Sequence, residues 1–226
     1  MATAEWEKLV DSLVKQGILQ SPRVVNAMLL VPRQKFLPNN VKQYSSADAP
    51  LQIGFGQTIS APHMVCIMNE ALQLEVGLKV LEVGAGSGWH ASTIAELVAP
   101  KNVPRSGRGH VYSIEIVQAL AETARKNILS AGFSDSVTVV NADGSKGYVE
   151  KAPYDRIAVT AAAPRIPQPL VEQLKEGGVM VVPVGTVSFY QTLVRLTKDA
   201  DGEIRQEDLG GVAFVPLIGE YGQADF

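Results

Sequence analysis

The chain reads as an α/β protein: a doubly wound parallel sheet with helices at its N-terminal end and an antiparallel edge at its C-terminal end. Three observations predict this. From residue 79 onward, short β-branched runs alternate with amphipathic stretches, at the spacing of strand–helix units that pack as a parallel sheet with helices on both faces. Right-handed crossovers then make the sheet doubly wound. The first of these runs ends in three glycines at alternate positions, Gly84-Ala85-Gly86-Ser87-Gly88. After Pro183 the pattern changes to two strand-like runs around Asp201-Gly202, a hairpin signal of the kind that supplies antiparallel edges to parallel sheets.

The elements follow in order. Residues 4–19 form an amphipathic helix, with Trp6, Leu9, Val10, Leu13 and Val14 on one face and Gly17 near its end. Ser21-Pro22 starts a second helix, Ser as N-cap and Pro in the first turn. Val24, Val25, Met28 and Leu29 are its apolar face, and Pro32 ends it. Residues 32–58 have no period and carry Pro38, Pro50, Gly54 and Gly56. A connection this long is functional or disordered; Phe36, Tyr44 and Phe55 argue for an ordered one. Ser60-Ala61-Pro62 begins a third helix with Ser60 as N-cap and a buried stripe of Met64, Ile67, Met68, Ala71 and Leu72. Strands are expected at 79–83, 110–115, 137–141, 155–160 and 179–183. Helices are expected at 89–99, 117–130 (closed by Gly132) and 167–175 (ended by Gly177-Gly178). Phe189 to Lys198 and Glu203 to Glu207 make the hairpin, and Gly211 to Val215 a last strand. Residues 101–109 are a solvated loop. One domain is expected, with 1–76 as a covering part, 77–185 as the α/β core and 186–226 as the C-terminal strands.

Composition narrows the function classes. At 226 residues the chain can bury a sizeable core without staples. A net charge of −3 argues against nucleic acid as an obligatory partner, because phosphate binding wants a basic surface. One cysteine, Cys66, excludes an internal disulfide and suits a reducing compartment. No apolar run is long enough to suggest a membrane span, and the N-terminus lacks the pattern of a secretory signal. The cytoplasm and a monomer are expected, with no metal site.

The glycine loop carries the first chemical information. Glycine at these positions permits positive φ and close approach of a ligand to the backbone. A Gly-rich turn that merely joins strand to helix is the alternative. The dinucleotide fingerprint G-x-G-x-x-G/A sets a pyrophosphate on the helix N-terminus. Here its third position is the bulky Trp89, and Glu82 precedes the loop, where a pyrophosphate would be repelled. A phosphate-free cation would not be. Strand–Glu–x–Gly–x–Gly–x–Gly is similar to the first motif of Rossmann-like S-adenosylmethionine-dependent methyltransferases.

In open α/β sheets ligands bind beyond the carboxyl ends of the strands. Glu82 with Gly84 and Gly86 ends the first strand, and Glu115 ends the second, where a carboxylate can accept both ribose hydroxyls. Asp143-Gly144 follows the third, within reach of an adenine amino group, although Asp-Gly is also a plain turn. Thr160 to Pro164 ends the fourth in small residues, which leave room for a ligand or pack as a tight turn. His63 reads as a helix-surface residue, and Cys66 as an inert buried thiol.

The remaining stretch, Gly56-Gln57-Thr58-Ile59-Ser60-Ala61-Pro62-His63-Met64, resembles the signature of protein-L-isoaspartate (D-aspartate) O-methyltransferases. Tyr154-Asp155-Arg156-Ile157, Ala161 to Pro164, Leu174 to Gly178, Pro183-Val184-Gly185, Arg33 to Phe36, Tyr44 and Phe214 to Leu217 fit the same family. The resemblance covers nearly the whole chain. It implies methyl transfer from S-adenosyl-L-methionine to the α-carboxyl of L-isoaspartyl residues in damaged proteins and peptides, and extends to D-aspartyl ones as an open possibility. S-adenosyl-L-homocysteine is the product, and succinimide formation then returns some normal aspartyl. It implies Ser60 as the active-site hydroxyl. Gln57, Thr58, Ile59, Ser60, Glu82, Gly84, Gly86, Glu115, Asp143 and Gly144 are its cofactor-binding positions. Val65 and Ile218 depart from the His and Thr of animal members and are not claimed as ligands. The rival readings are a methyltransferase with a small-molecule or nucleic-acid acceptor, a cofactor-binding module without catalysis and, third, a nicotinamide dehydrogenase, against which Trp89 and Glu82 count.

Overall fold

A computed structural model describes residues 2–186 and 190–223. Two helices open the chain, α1 (Ala4–Lys15) and α2 (Pro22–Leu30). Helix α1 stops four residues before the predicted end, where Gly17 turns the chain with φ +72°. Ser21 caps α2 as expected, its hydroxyl accepting the Val24 N–H.

The stretch read as irregular holds a small antiparallel hairpin, β1 (Leu51–Gly54) and β2 (Gln57–Ile59). Gly54, Phe55 and Gly56 at its tip all have positive φ. Helix α3 (Pro62–Leu72) follows. Its N-cap is Ala61, with no side-chain cap bond, so Ser60 is not the capping residue. Proline at the first helical position starts this helix without one.

The main sheet has seven strands: β3 (Lys79–Val83), β4 (His110–Glu115), β5 (Val137–Asn141), β6 (Tyr154–Val159), β7 (Leu174–Val184), β8 (Gln191–Lys198) and β9 (Ile204–Val212). Its order is β5-β4-β3-β6-β7-β8-β9. The pairs from β5 to β7 are parallel, and β7–β8 and β8–β9 are antiparallel. Helices α4 (Trp89–Val98), α5 (Gln118–Ala131) and α6 (Gln168–Gln173) lie between strands. The α/β class, the winding and the antiparallel edge are those the sequence predicts.

Two boundaries differ. Helix α6 ends at Gln173, and Gly177-Gly178 lies inside β7 rather than closing a helix. Leu174 already pairs with Tyr154, and the register slips before Arg156 meets Val179; the glycines sit in that irregularity. The separate strand over 211–215 is absent: Gly211 and Val212 belong to β9, and Pro216 bridges Ala162 in parallel. Phe189, the expected start of the hairpin, lies outside the described residues.

Side chains alternate across the sheet. Val80, Val111 and Ala158 face one hydrophobic cluster, shared with Trp6, Met28, Trp89 and Ile94. Leu81, Ile114 and Ile157 face the other, with Tyr154 and Leu170. The N-terminal helices therefore join the same core as α4 and α5.

Candidate active site

The chain runs from β3 to β4 to β5 on one side and returns to β6 on the other. The crevice at such a reversal is where ligands bind in open α/β sheets, and a pocket lies there. Its floor is Val83, Gly84, Ala85, Gly86 and Ser87; Ile114 to Val117 and Gly144 form one wall. Thr160, Ala161 and Val215 to Ile218 form another, and Gln57 to Ser60 with Val65 the roof. About 790 Å³ of space lies within it, part of it open to solvent.

Gly84 has φ +100°, and a Cβ there would stand 2.3 Å from the Thr160 Oγ1. A Cβ on Gly144 would meet Val83 Cγ1 at 2.7 Å. Both positions need glycine for space, and Gly84 also for conformation.

Four of the loop's five amides are already bonded. Gly84 and Ala85 N–H donate to the Ile114 carbonyl, Gly86 N–H to Glu115 Oε2 at 2.8 Å, and Gly88 N–H to the Ala85 carbonyl. A pyrophosphate needs such donors free. The loop therefore suits a cofactor that touches the glycines without a phosphate, as S-adenosylmethionine does. Glu115 Oε1 accepts the Val117 N–H at 3.0 Å. Each carboxylate oxygen keeps a further lone pair, enough to accept two ribose hydroxyls.

Trp89 is buried in the core against the N-terminal helices. Its indole N–H donates to the Val31 carbonyl at 2.8 Å, and its ring meets Trp6 edge-on at 5.9 Å. Its bulk, incompatible with a dinucleotide fingerprint, ties α4 to α1 and α2.

The roof is held by Arg33, which is fully buried. Its guanidinium donates to five backbone carbonyls, those of Tyr44, Ser45, Ala47, Ala49 and Ser60. Burial pushes its pKa down to about 10, against the pull of Asp48; it stays charged at neutral pH. Asp48 accepts from the backbone N–H of His63, and the His63 Nδ1 lies 2.9 Å from the same carboxylate oxygen. His63 is thus on the helix surface but engaged. Cys66 is buried, and burial raises its thiol pKa, as expected of an inert thiol.

Ser60 and Thr58 line this pocket and also a second cavity, open beside it between α3 and residues 211–215. Thr160 belongs to both as well. The two cavities meet at these three hydroxyl-bearing residues.

Gln57, Thr58, Ile59, Ser60, Gly84, Gly86, Glu115 and Gly144 are brought together in the pocket. Glu82 and Asp143 are not. Glu82 is fully buried behind the loop and accepts a hydrogen bond from the Ser113 hydroxyl. Asp143 accepts from Ser145 N–H and hydroxyl and from the Glu220 N–H, so the turn and the C-terminal segment occupy both its oxygens. Val65 and Ile218, not claimed as ligands, do line the pocket. Ser87, His90, Ile116 and Val117 line it too and were not singled out. No sequence signal marks apolar Ile116 and Val117 beyond their place after Glu115.

The family model described as protein-L-isoaspartate(D-aspartate) O-methyltransferase matches residues 4–222. The chain belongs to this family. A protein-L-isoaspartate O-methyltransferase of Hyperthermus butylicus is 53% identical, over 98% of this chain and 94% of that protein. One from Thermococcus sibiricus is 52% identical, over 96% and 95%. A Plasmodium falciparum crystal structure named as a protein-L-isoaspartate O-methyltransferase in complex with S-adenosyl-L-homocysteine superposes with a TM-score of 0.82 at 28% identity. It covers 94% of this chain and 98% of the other.

Proposed function

We propose that the junction at Ser60 receives the α-carboxylate of an L-isoaspartyl residue and presents it to the methyl donor. The chain is an S-adenosylmethionine-dependent protein-L-isoaspartate O-methyltransferase of protein repair. The observation that carries the assignment of roles is the meeting of a phosphate-free cofactor pocket with a second, open cavity at Ser60, Thr58 and Thr160.

When bound, S-adenosylmethionine would supply an electrophilic methyl on its sulfonium for the acceptor oxygen. The chain's own residues orient and shield. A carboxylate is nucleophilic at neutral pH, so no strong base is needed. Ser60 donates a hydrogen bond that fixes the carboxylate's approach; its hydroxyl is not committed to capping α3. Alignment of this kind supplies roughly 7–11 kcal/mol in well-oriented reactions. Glu115 takes the ribose, and Gly84, Gly86 and Gly144 let the cofactor lie against the backbone. Gln57, Thr58 and Ile59 close over it, which excludes water and strengthens the electrostatics inside. Glu82 and Asp143 act from behind this wall.

A proteinaceous acceptor fits the open second cavity. No helix among the described residues is long and apolar enough to cross a membrane; a cytoplasmic monomer completes the reading. The test is transfer of a labelled methyl from S-adenosylmethionine to an isoaspartyl peptide. The expected product is a base-labile ester that releases methanol. A base-stable adduct, or none, would overturn the acceptor assignment.

A further inference from the structure

We propose that Glu82 and His90 hold a single proton between them behind the glycine loop, and that this pair senses the positive charge of the bound methyl donor. The inference rests on S-adenosylmethionine as that donor.

Glu82 sits near the end of β3 with no exposed surface. One carboxylate oxygen takes the Ser113 hydroxyl; the other, Oε1, is buried with no side-chain hydrogen-bond partner among the described residues. His90 Nδ1 stands across from it at 3.5 Å. His90 lies in the first turn of α4 and lines the pocket.

The other ring nitrogen fixes the tautomer. His90 Nε2 lies 3.1 Å from Asn69 Oδ1. The Asn69 amide donates to Thr93 Oγ1, whose own proton goes to the His90 carbonyl, and this network turns Asn69 Oδ1 toward the ring. Nε2 therefore carries the ring proton, and Nδ1 turns a lone pair toward Glu82. Were Glu82 ionised, two acceptors would face each other in a dry site. A proton on the carboxyl resolves this by donating to Nδ1. The directions agree: burial raises the Glu82 pKa to about 8 and lowers that of His90 to about 4.

Among the described residues no cation competes for the carboxylate. From β4, Glu82 faces Ser113 and Glu115, and Glu115 repels it. From α4 it faces His90 and the Ala91 backbone. Its register partner on β6 is Ala158, and Asn69 of α3 meets the far side of the His90 ring. Val83 and Gly84, the next two residues, line the pocket. A sulfonium there favours the ionised carboxylate, so the acid gives its proton to solvent as the donor binds. S-adenosylhomocysteine lacks the sulfonium charge and releases less. The pair thereby favours donor over product increasingly as pH rises toward about 8.

The test has two parts. In the ligand-free protein, 15N NMR of the His90 ring at pH 5 to 7.5 should show a neutral ring with its proton on Nε2. A proton on Nδ1, a ring carrying both at pH 7, or titration near 6.5 would overturn the pair. Calorimetry at pH 7 in buffers of different ionisation heat should show proton release on binding S-adenosylmethionine, less release with S-adenosylhomocysteine, and none in Glu82→Gln. The donor's Kd should fall by up to ~10-fold per pH unit below pH 8 in the wild type and stay flat in the variant. Equal release by both ligands, or an unchanged profile in Glu82→Gln, would overturn the sensor. Complete failure to bind the donor would overturn the cofactor reading as well.

Discussion

Ser60 is where the sequence signal and the geometry coincide, and also where a local rule misleads. Ser-x-Pro before an apolar stripe looks like a helix cap, yet Ala61 occupies that position and the Ser60 hydroxyl is left to the cavity junction. Ser60→Ala should lower kcat by up to ~100-fold, as a lost positioning contact does, with the Kd for S-adenosylmethionine changed only a few fold. Steady-state kinetics beside calorimetry separates the two, and full activity in the variant would remove Ser60 from the mechanism. Glu82 and Asp143 show the limit of reading acids at strand ends. Sequence places a carboxylate at the right edge of the sheet, but whether it faces the pocket depends on neighbours distant in sequence: Ser113 for Glu82, the Glu220 backbone for Asp143. Arg33 was legible only as part of a family resemblance. Its role rests on five carbonyls spread from Tyr44 to Ser60, which no periodicity records. Arg33→Met should cost at least ~3 kcal/mol in denaturant unfolding, since each stranded carbonyl carries a desolvation penalty. Arg33→Lys should recover little, lacking the planar fork.

Among the elements, those with strong periodicity were legible, and so was the β8–β9 hairpin with its Asp201-Gly202 turn. Strands β3 to β6 fall where β-branched runs predict them, because parallel strands are buried on both faces and read as apolar runs, while β7 starts five residues early, at Leu174. The β1–β2 hairpin was hidden. Its strands have four and three residues, and its tip puts Phe55 at φ +55° between two glycines, a conformation that side chain does not advertise. The hairpin matters because Ile53 reaches over the loop, 3.4 Å from where a Gly86 Cβ would be. Trp89 joins the covering helices to the core through Trp6 and Val31. Trp89→Ala should cost about 3–5 kcal/mol, the usual loss for a buried large aromatic. It should also weaken cofactor binding, because the roof stands on the same helices. Unchanged thermal unfolding in that variant would show that the roof is held elsewhere.

At the scale of the whole molecule, the buried pair behind the loop should leave a mark on stability. Glu82 keeps its proton in the folded state to about pH 8 and loses it near 4.5 when unfolded, so its contribution falls as pH rises between these values. His90 works in the opposite sense, from about 4 folded to 6.5 unfolded. The two slopes offset one another up to 6.5, and only the Glu82 slope remains from there to about 8. The ligand-free protein should lose about 2 kcal/mol across that last interval, at ~1.4 kcal/mol per unit per proton. Denaturant unfolding at several pH values should find the loss in the wild type and not in Glu82→Gln. The function itself rests on the join between the two cavities, and one comparison tests it most directly. Labelled S-adenosylmethionine is offered with an isoaspartyl peptide and with its normal aspartyl twin, identical in composition. The geometry at Ser60 and the family of the chain predict label in the isoaspartyl peptide and none above background in the twin; equal labelling of both, or of neither, would contradict the account.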